Sequence, residues 1–193
     1  MPAVSKLKQT LQLSAPEAAK RLLGATLIRD FDGQIFKVKI VETEAYDASD
    51  AASHSNWGVT PRTAVMFGPA GYAYVYFTYG MHYCFNVVTG NDGDGSAVLI
   101  RAVEPLVGVT EMSLKRGSVT GPGVSNGPAK LCQALGIDKR LYGHDLDLSP
   151  LRLELQPAIP PEMITVTTRI GISKAKETLW RFYITGNEYV SKK

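Results

Sequence analysis

Two segments of this chain carry residue types that could do chemistry. The first is Val41-Glu42-Thr43-Glu44-Ala45-Tyr46. Upstream of it Phe36, Val38 and Ile40 alternate with Lys37 and Lys39, the period of a strand with one apolar and one charged face. If that period continues, Glu42, Glu44 and Tyr46 fall on the apolar face. A carboxylate there is costly to bury unless it is paired or put to use. That is the profile of a catalytic acid or base, and also of a carboxylate satisfied by backbone amides. Spacing does not choose between Glu42 and Glu44.

The second segment runs from Tyr72 to Asn86. Tyr72, Tyr74 and Tyr76 alternate with Ala73, Val75 and Phe77, so three phenols share one face of a strand. Thr78-Tyr79-Gly80-Met81 reads as a turn, with glycine supplying the awkward backbone angle. A return strand from His82 to Val88 places His82, Cys84 and Asn86 on one side, and Tyr83, Phe85 and Val87 on the other. Cross-strand packing accounts for Tyr72, Tyr74 and Tyr83. It does not account for a tyrosine at a solvent-facing tip, which suits a residue that inserts into something.

Arg101 is a further candidate, a single charge inside the apolar run Ala97 to Val103. It could hold a carboxylate for structural reasons, or converge with Glu44 on one reacting atom. The helix opening at Gly127-Pro128 has Lys130 in its first turn and could hold a phosphate on free amides; an ordinary helix start with a solvated lysine fits equally. His54, His82 and His144 are the three histidines and have no metal-ligand spacing, so no metal and no cofactor is expected. Cys84 and Cys132 sit far apart among apolar residues, which favours buried thiols over a disulfide.

These residues must be positioned by a chain of 193 residues, 45% hydrophobic and 20% charged, a size suited to one well-packed domain spanning 1–193. Net charge is +3 and the pI about 8.8, which permits a nucleic-acid partner without requiring one. No apolar run is long enough to span a bilayer, and Met1 to Thr10 is polar and lysine-bearing, unlike a signal peptide. Ser14-Ala15-Pro16-Glu17 reads as a capping box opening a helix through Leu23 that stops at Gly24. Strands are expected at Thr26 to Asp30 and Phe36 to Ala45 about the Asp32-Gly33 turn, then a loop-rich stretch from Asp47 to Pro69. After the tyrosine hairpin come a turn at Gly90 to Gly95 and the strand Ala97 to Val103. A helix opened by Glu104-Pro105 reaches Arg116, a loop spans Gly117 to Asn126, and a helix from Gly127-Pro128 runs to Leu135. Leu151 to Leu155, Ile164 to Arg169 and Trp180 to Ile184 read as strands.

Taken together the chain resembles the alkyladenine (3-methyladenine) DNA glycosylase family. The resemblance is carried by Leu22-Leu23-Gly24, Ile40 to Tyr46, Ala52-Ser53-His54-Ser55 and Thr60-Pro61-Arg62. It continues through Tyr74 to Met81, Cys84-Phe85-Asn86, Val98 to Pro105, Gly127 to Leu135 and Arg181-Phe182-Tyr183, in order over nearly the whole chain. It implies a mixed α/β (α+β) fold, one domain around a curved antiparallel sheet with a protruding β-hairpin and surrounding helices.

The resemblance also implies roles. Glu44 matches the general base that activates water against the sugar carbon, and Arg101 the arginine that helps hold that water. Tyr46, Tyr76 and His54 match the walls between which an extruded base stacks, and Asn86 lines the pocket floor. Tyr79 matches the wedge left in the duplex, with Met81 beside it. Arg62 and Lys130 are candidates for the DNA backbone. The implied partner is double-stranded DNA containing damaged purines, bound by a monomer in the cytoplasm of a bacterium, with no membrane and no cofactor. Two other readings keep the same residues. A glycosidase on free nucleosides leaves an exposed Tyr79 with nothing to fill, and a single-strand binder stacking bases on tyrosines leaves Glu44 unexplained.

Overall fold

The structure, a computed structural model, describes residues 4–191. Eight strands form one open antiparallel sheet: β1 (Thr26–Phe31), β2 (Gln34–Tyr46), β3 (Ala73–Thr78), β4 (His82–Thr89), β5 (Ser96–Val107), β6 (Leu151–Glu154), β7 (Ile164–Thr167) and β8 (Arg181–Ile184). The order is β3-β4-β5-β2-β1-β6, with β8 pairing both β2 and β7. Among the described residues the α-helices are α1 (Lys6–Leu11), α2 (Ala15–Leu22), α3 (Val109–Lys115) and α4 (Pro128–Leu135). None is long and apolar enough to cross a membrane.

Strand β2 organises the molecule. Its first half pairs with β1 and its far end, Glu42 to Glu44, pairs with β8. Against β5, Ile40 faces Val103 but Glu42 faces Ala102, so Val41 is an extra residue; a second shift follows between Glu42 and Thr43. Such a bulge reverses which side chains face which side of the sheet. Phe36, Val38 and Ile40 lie in the main core, and beyond the bulge Val41 and Ala45 join them. Thr43, on the same side, donates its hydroxyl to Ala19 O of α2 at 3.0 Å. Glu42, Glu44 and Tyr46 therefore face away from that core. The expectation that the period of two would run on unbroken is corrected here, and its consequence is that both carboxylates leave the packed hydrocarbon, Glu44 to line a cavity and Glu42 to meet Arg181 and Ser191.

A second correction falls on Glu104-Pro105. These residues continue β5 and open no helix. Glu104 pairs with Lys39 across the ladder, and its carboxylate takes Lys39 Nζ at 2.7 Å. Pro105 lacks an N–H and sits at a register shift, where a proline is tolerated. Helix α3 starts only after Gly108, whose φ of +83° a side chain would disfavour. The strand expected to reach Arg169 ends at Thr167. At α2, Ser14 Oγ donates to Glu17 Oε2 at 2.5 Å and caps no backbone N–H, so the two side chains of the expected capping box pair with each other and the Ser14 cap does not form. Of the polar start, residues 1–3 lie outside the described residues; from Lys6 the chain forms α1, a helix the sequence reading did not anticipate.

The tyrosine hairpin is β3 and β4, paired from Ala73–Val87 to Thr78–His82. Tyr74 is buried in a small second core with Met66, Val88 and Ala97. Phe85 and Val87 face the main core, on which α4 packs. At the tip both central turn residues, Tyr79 and Gly80, have positive φ (51° and 67°), as in the tight turns that match strand twist. Both cysteines are free and buried.

Candidate active site

The face of β2 that the bulge frees looks into a cavity of about 680 Å³. Glu44 is fully buried in its wall. Glu44 Oε1 accepts the backbone N–H of Ile170 at 2.8 Å and lies 3.3 Å from Arg101 Nη1. Glu44 Oε2 accepts the phenol of Tyr46 at 2.8 Å. The donors arrive from β5, from β2 itself and from the segment after β7, so the carboxylate is held from three directions. A carboxylate offers about four acceptor positions, and Oε2 keeps one of its own.

Glu42, two residues earlier, is placed differently. It is fully buried, it accepts Arg181 Nε at 2.6 Å, Ser191 N at 2.7 Å and Ser191 Oγ at 3.0 Å, and it does not line the cavity. Arg101 spans the two carboxylates, with Nε 3.4 Å from Glu42 Oε1.

Above Glu44 the cavity is aromatic. The Tyr74 and Tyr76 rings lie 5.4 Å apart and the His54 ring meets Tyr76 edge-on at 4.6 Å. Arg62 can only donate, and its Nη2 lies 3.3 Å from His54 Nε2, so that nitrogen accepts. The proton then sits on Nδ1, which donates to Tyr74 OH at 2.8 Å. Burial, helped by the Arg62 charge, pushes the His54 pKa down to about 4, so the ring is neutral at pH 7. Burial and the charge of Glu44 push the Tyr46 phenol far up, which keeps its proton available to Glu44. Burial likewise raises Tyr76, with Cys84 beside its hydroxyl adding to the effect.

A buried carboxylate and arginine thus lie under an aromatic clamp, beside an exposed hairpin tip. A family model described as methylpurine-DNA glycosylase (MPG) matches residues 9–188. The chain belongs to the methylpurine-DNA glycosylase family. Relatives carrying the name "Putative 3-methyladenine DNA glycosylase" include one from Carboxydothermus hydrogenoformans, 52% identical over 91% of this chain and 92% of its own. Another, from Francisella tularensis, is 47% identical over 98% of this chain and 100% of its own, and one from Methanoculleus marisnigri is 49% identical over 91% and 92%. The protein is thus an enzyme, a DNA glycosylase of the 3-methyladenine type, and DNA is its partner.

In this methylpurine-DNA glycosylase the site residues expected from sequence separate into two groups. Glu44, Arg101, Tyr46 and His54 line the cavity, as do Tyr76, Asn86, Arg62 and Tyr79. Asn86 is buried and donates Nδ2 to Tyr74 O at 3.0 Å, across the hairpin. Arg62 also lies over the Tyr76 ring, 5.1 Å from its centroid. Tyr79 is 81% exposed at the rim. Met81, 69% exposed on the same tip, and Lys130, whose Nζ donates to Asn126 Oδ1 at 2.7 Å, do not line it.

Sequence reasoning missed the segment after β7. Ile170, Gly171, Ile172, Ser173 and Lys174 form one side of the cavity, and Ile170 contributes a backbone amide that no residue type announces. At the mouth Lys174 Nζ lies 5.2 Å from the Trp57 ring centroid, and Trp57 is 77% exposed. Arg169 and Asp50, both buried, went unnoticed too; an arginine at the end of an expected strand gives no signal of burial.

Proposed function

We propose that this glycosylase extrudes alkylated or deaminated purines from duplex DNA and hydrolyses the N-glycosidic bond with water activated by Glu44. The observation that carries the reading is the Glu44 carboxylate, held by three donors at the wall of an aromatic cavity with acceptor capacity left on Oε2. A water bound there loses its proton to Oε2 as its oxygen attacks the sugar carbon. The bonding pair leaves with the base, and an abasic site remains. Positive charge that builds on the sugar is stabilised by the carboxylate, while Arg101 fixes the carboxylate and orders the water.

Extrusion costs a few kcal/mol, least for damaged or poorly paired bases. Tyr46 and Tyr76, with His54 against Tyr76, would stack the extruded base. Their electron-rich faces attract a base made cationic by alkylation, by about 1–2 kcal/mol when desolvated. Tyr79 would fill the vacated stack with Met81 beside it, Asn86 would close the pocket floor, and Arg62 and Lys130 would meet the DNA backbone. Lys174 is the lysine of the cavity wall, and its ammonium lies over Trp57, not at Glu44. That placement supports hydrolysis without a covalent enzyme–DNA intermediate.

The decisive experiment incubates the protein with duplexes carrying hypoxanthine or 3-methyladenine and, in parallel, with the corresponding free nucleosides. Base release from duplex alone supports the proposal. Equal release from free nucleosides would replace it with a nucleosidase.

A further inference from the structure

One buried ion pair ties the two sides of the cavity together, and no role above uses it. The side chains of Arg169 and Asp50 are 0% and 3% exposed. Arg169 Nη1 donates to Asp50 Oδ2 and to Ala45 O, the latter at 2.9 Å, and Nη2 donates to Asp50 Oδ1 at 3.0 Å. The guanidinium carbon lies 4.6 Å from the Tyr46 ring centroid and 5.5 Å from that of Trp180. The next residue, Ile170, is the one whose N–H meets Glu44 Oε1. Asp50 in turn accepts Ala52 N–H on Oδ1 at 3.0 Å, and its carbonyl accepts Ser53 N–H at 2.8 Å, immediately before His54.

The geometry points to Arg169 as a positioning residue of the excision reaction, anchored by Asp50. It sets the plane of the Tyr46 ring and the aim of the Ile170 amide on Glu44. It contacts neither of the groups that break and make bonds. Its contacts reach the end of β2, the loop that leads to His54 and, through one peptide bond, the donor on Glu44. A guanidinium is suited to this because it can grip a carboxylate with two parallel N–H groups, reach a carbonyl and still present a flat face to a ring. A lysine keeps the charge and loses the fork. The inference rests on the roles proposed for Glu44 and Tyr46.

The test uses the full chain with Arg169→Lys, Arg169→Met and Asp50→Asn. Single-turnover release of hypoxanthine at saturating enzyme is compared with affinity for a duplex carrying a tetrahydrofuran abasic analogue, which has no base to stack, and with the thermal midpoint. Misplacement of catalytic groups by about 1 Å costs on the order of 10²-fold in rate. The expected result is a loss of roughly that size for Arg169→Met and about tenfold for Arg169→Lys and Asp50→Asn. Affinity for the abasic analogue should stay within about threefold of wild type, because that complex needs neither the stack nor the Glu44 donor. If Arg169→Met does not fold, the other two variants decide. Wild-type rates in Arg169→Lys and Asp50→Asn would overturn the inference, and so would a rate loss that tracks abasic-analogue affinity, since that marks a purely structural pair. A wild type inactive on duplex hypoxanthine and 3-methyladenine would overturn the proposed function first.

Discussion

The phenol of Tyr46 donates to Oε2 of Glu44 at 2.8 Å, from two residues further along the same strand and the same face. A residue proposed to stack the base thus also holds the residue proposed to activate water. Removing the hydroxyl while keeping the ring separates the two. Tyr46→Phe should lower the single-turnover excision rate by about tenfold, the order expected for one lost hydrogen bond to a charged group, and leave lesion affinity nearly unchanged. A fall in affinity with an unchanged rate would assign the hydroxyl to base binding.

Glu44→Gln keeps the shape of the side chain and removes its basicity. Excision of hypoxanthine should fall by roughly 10²–10⁴-fold while binding to lesion duplex persists. Substantial remaining turnover would move the base to another residue. Glu42 is poorly placed for that, because Arg181, Ser191 and Arg101 surround it and it does not reach the cavity.

Tyr79→Ala should weaken capture of the extruded state on duplex substrates and change release from single-stranded substrates far less, because only the duplex leaves a gap to fill. The comparison is a pair of single-turnover rates. Equal losses on both substrates would remove the wedge role.

Asn86 bears on what the pocket refuses. An extruded guanine would bring its 2-amino group toward this buried amide, whose Nδ2 is already given to Tyr74 O. A clash or an unpaired buried donor there costs about 1–3 kcal/mol. Asn86→Ser and Asn86→Ala should raise excision at guanine-containing mismatches, with little change at hypoxanthine. Matching changes on both bases would mean that Asn86 serves only the hairpin.

His54 predicts a dependence of stability on pH. Its folded pKa, about 4, lies below the 6.5 of an unperturbed histidine, because burial and Arg62 disfavour the charged ring. Above pH 6.5 both states are neutral and nothing is lost. Between pH 6.5 and 4 the unfolded chain takes up a proton that the folded chain refuses, so stability falls with pH across that window. Thermal midpoints taken from pH 7 to pH 4.5 should drop less steeply in His54→Gln than in wild type.

Much of this architecture is readable from residue order. Helices α2 and α4, strands β1 and β2 and the tyrosine hairpin follow from strong periodicity and from Gly and Pro at their ends. What stayed hidden has identifiable causes. Nothing in Ile40-Val41-Glu42 marks the bulge, because both sides of β2 are buried there and the apolar pattern has no gap. Glu104-Pro105 looks like a helix start, and only pairing with Lys39 and Val38 makes it strand. Helix α1 has six residues, too few for a clear period. At the site, side chains rich in chemistry could be named in advance. The Ile170 amide could not, being a backbone group, nor could the Arg169–Asp50 pair, whose partners are 119 residues apart.

The backbone at the hairpin tip restricts which side chains could ever serve there. Tyr79 has a φ of 51°, a left-handed conformation that costs an ordinary residue about 1–2 kcal/mol and a β-branched one more. Valine, isoleucine and threonine are therefore penalised at this position before any DNA is met, whatever their fit between base pairs. Asparagine sits there easily but offers little to stack. Swapping the group proposed to insert thus has a narrow alphabet, the residues unbranched at Cβ such as leucine, methionine and phenylalanine, and a library drawn evenly from apolar side chains would confuse turn strain with poor intercalation.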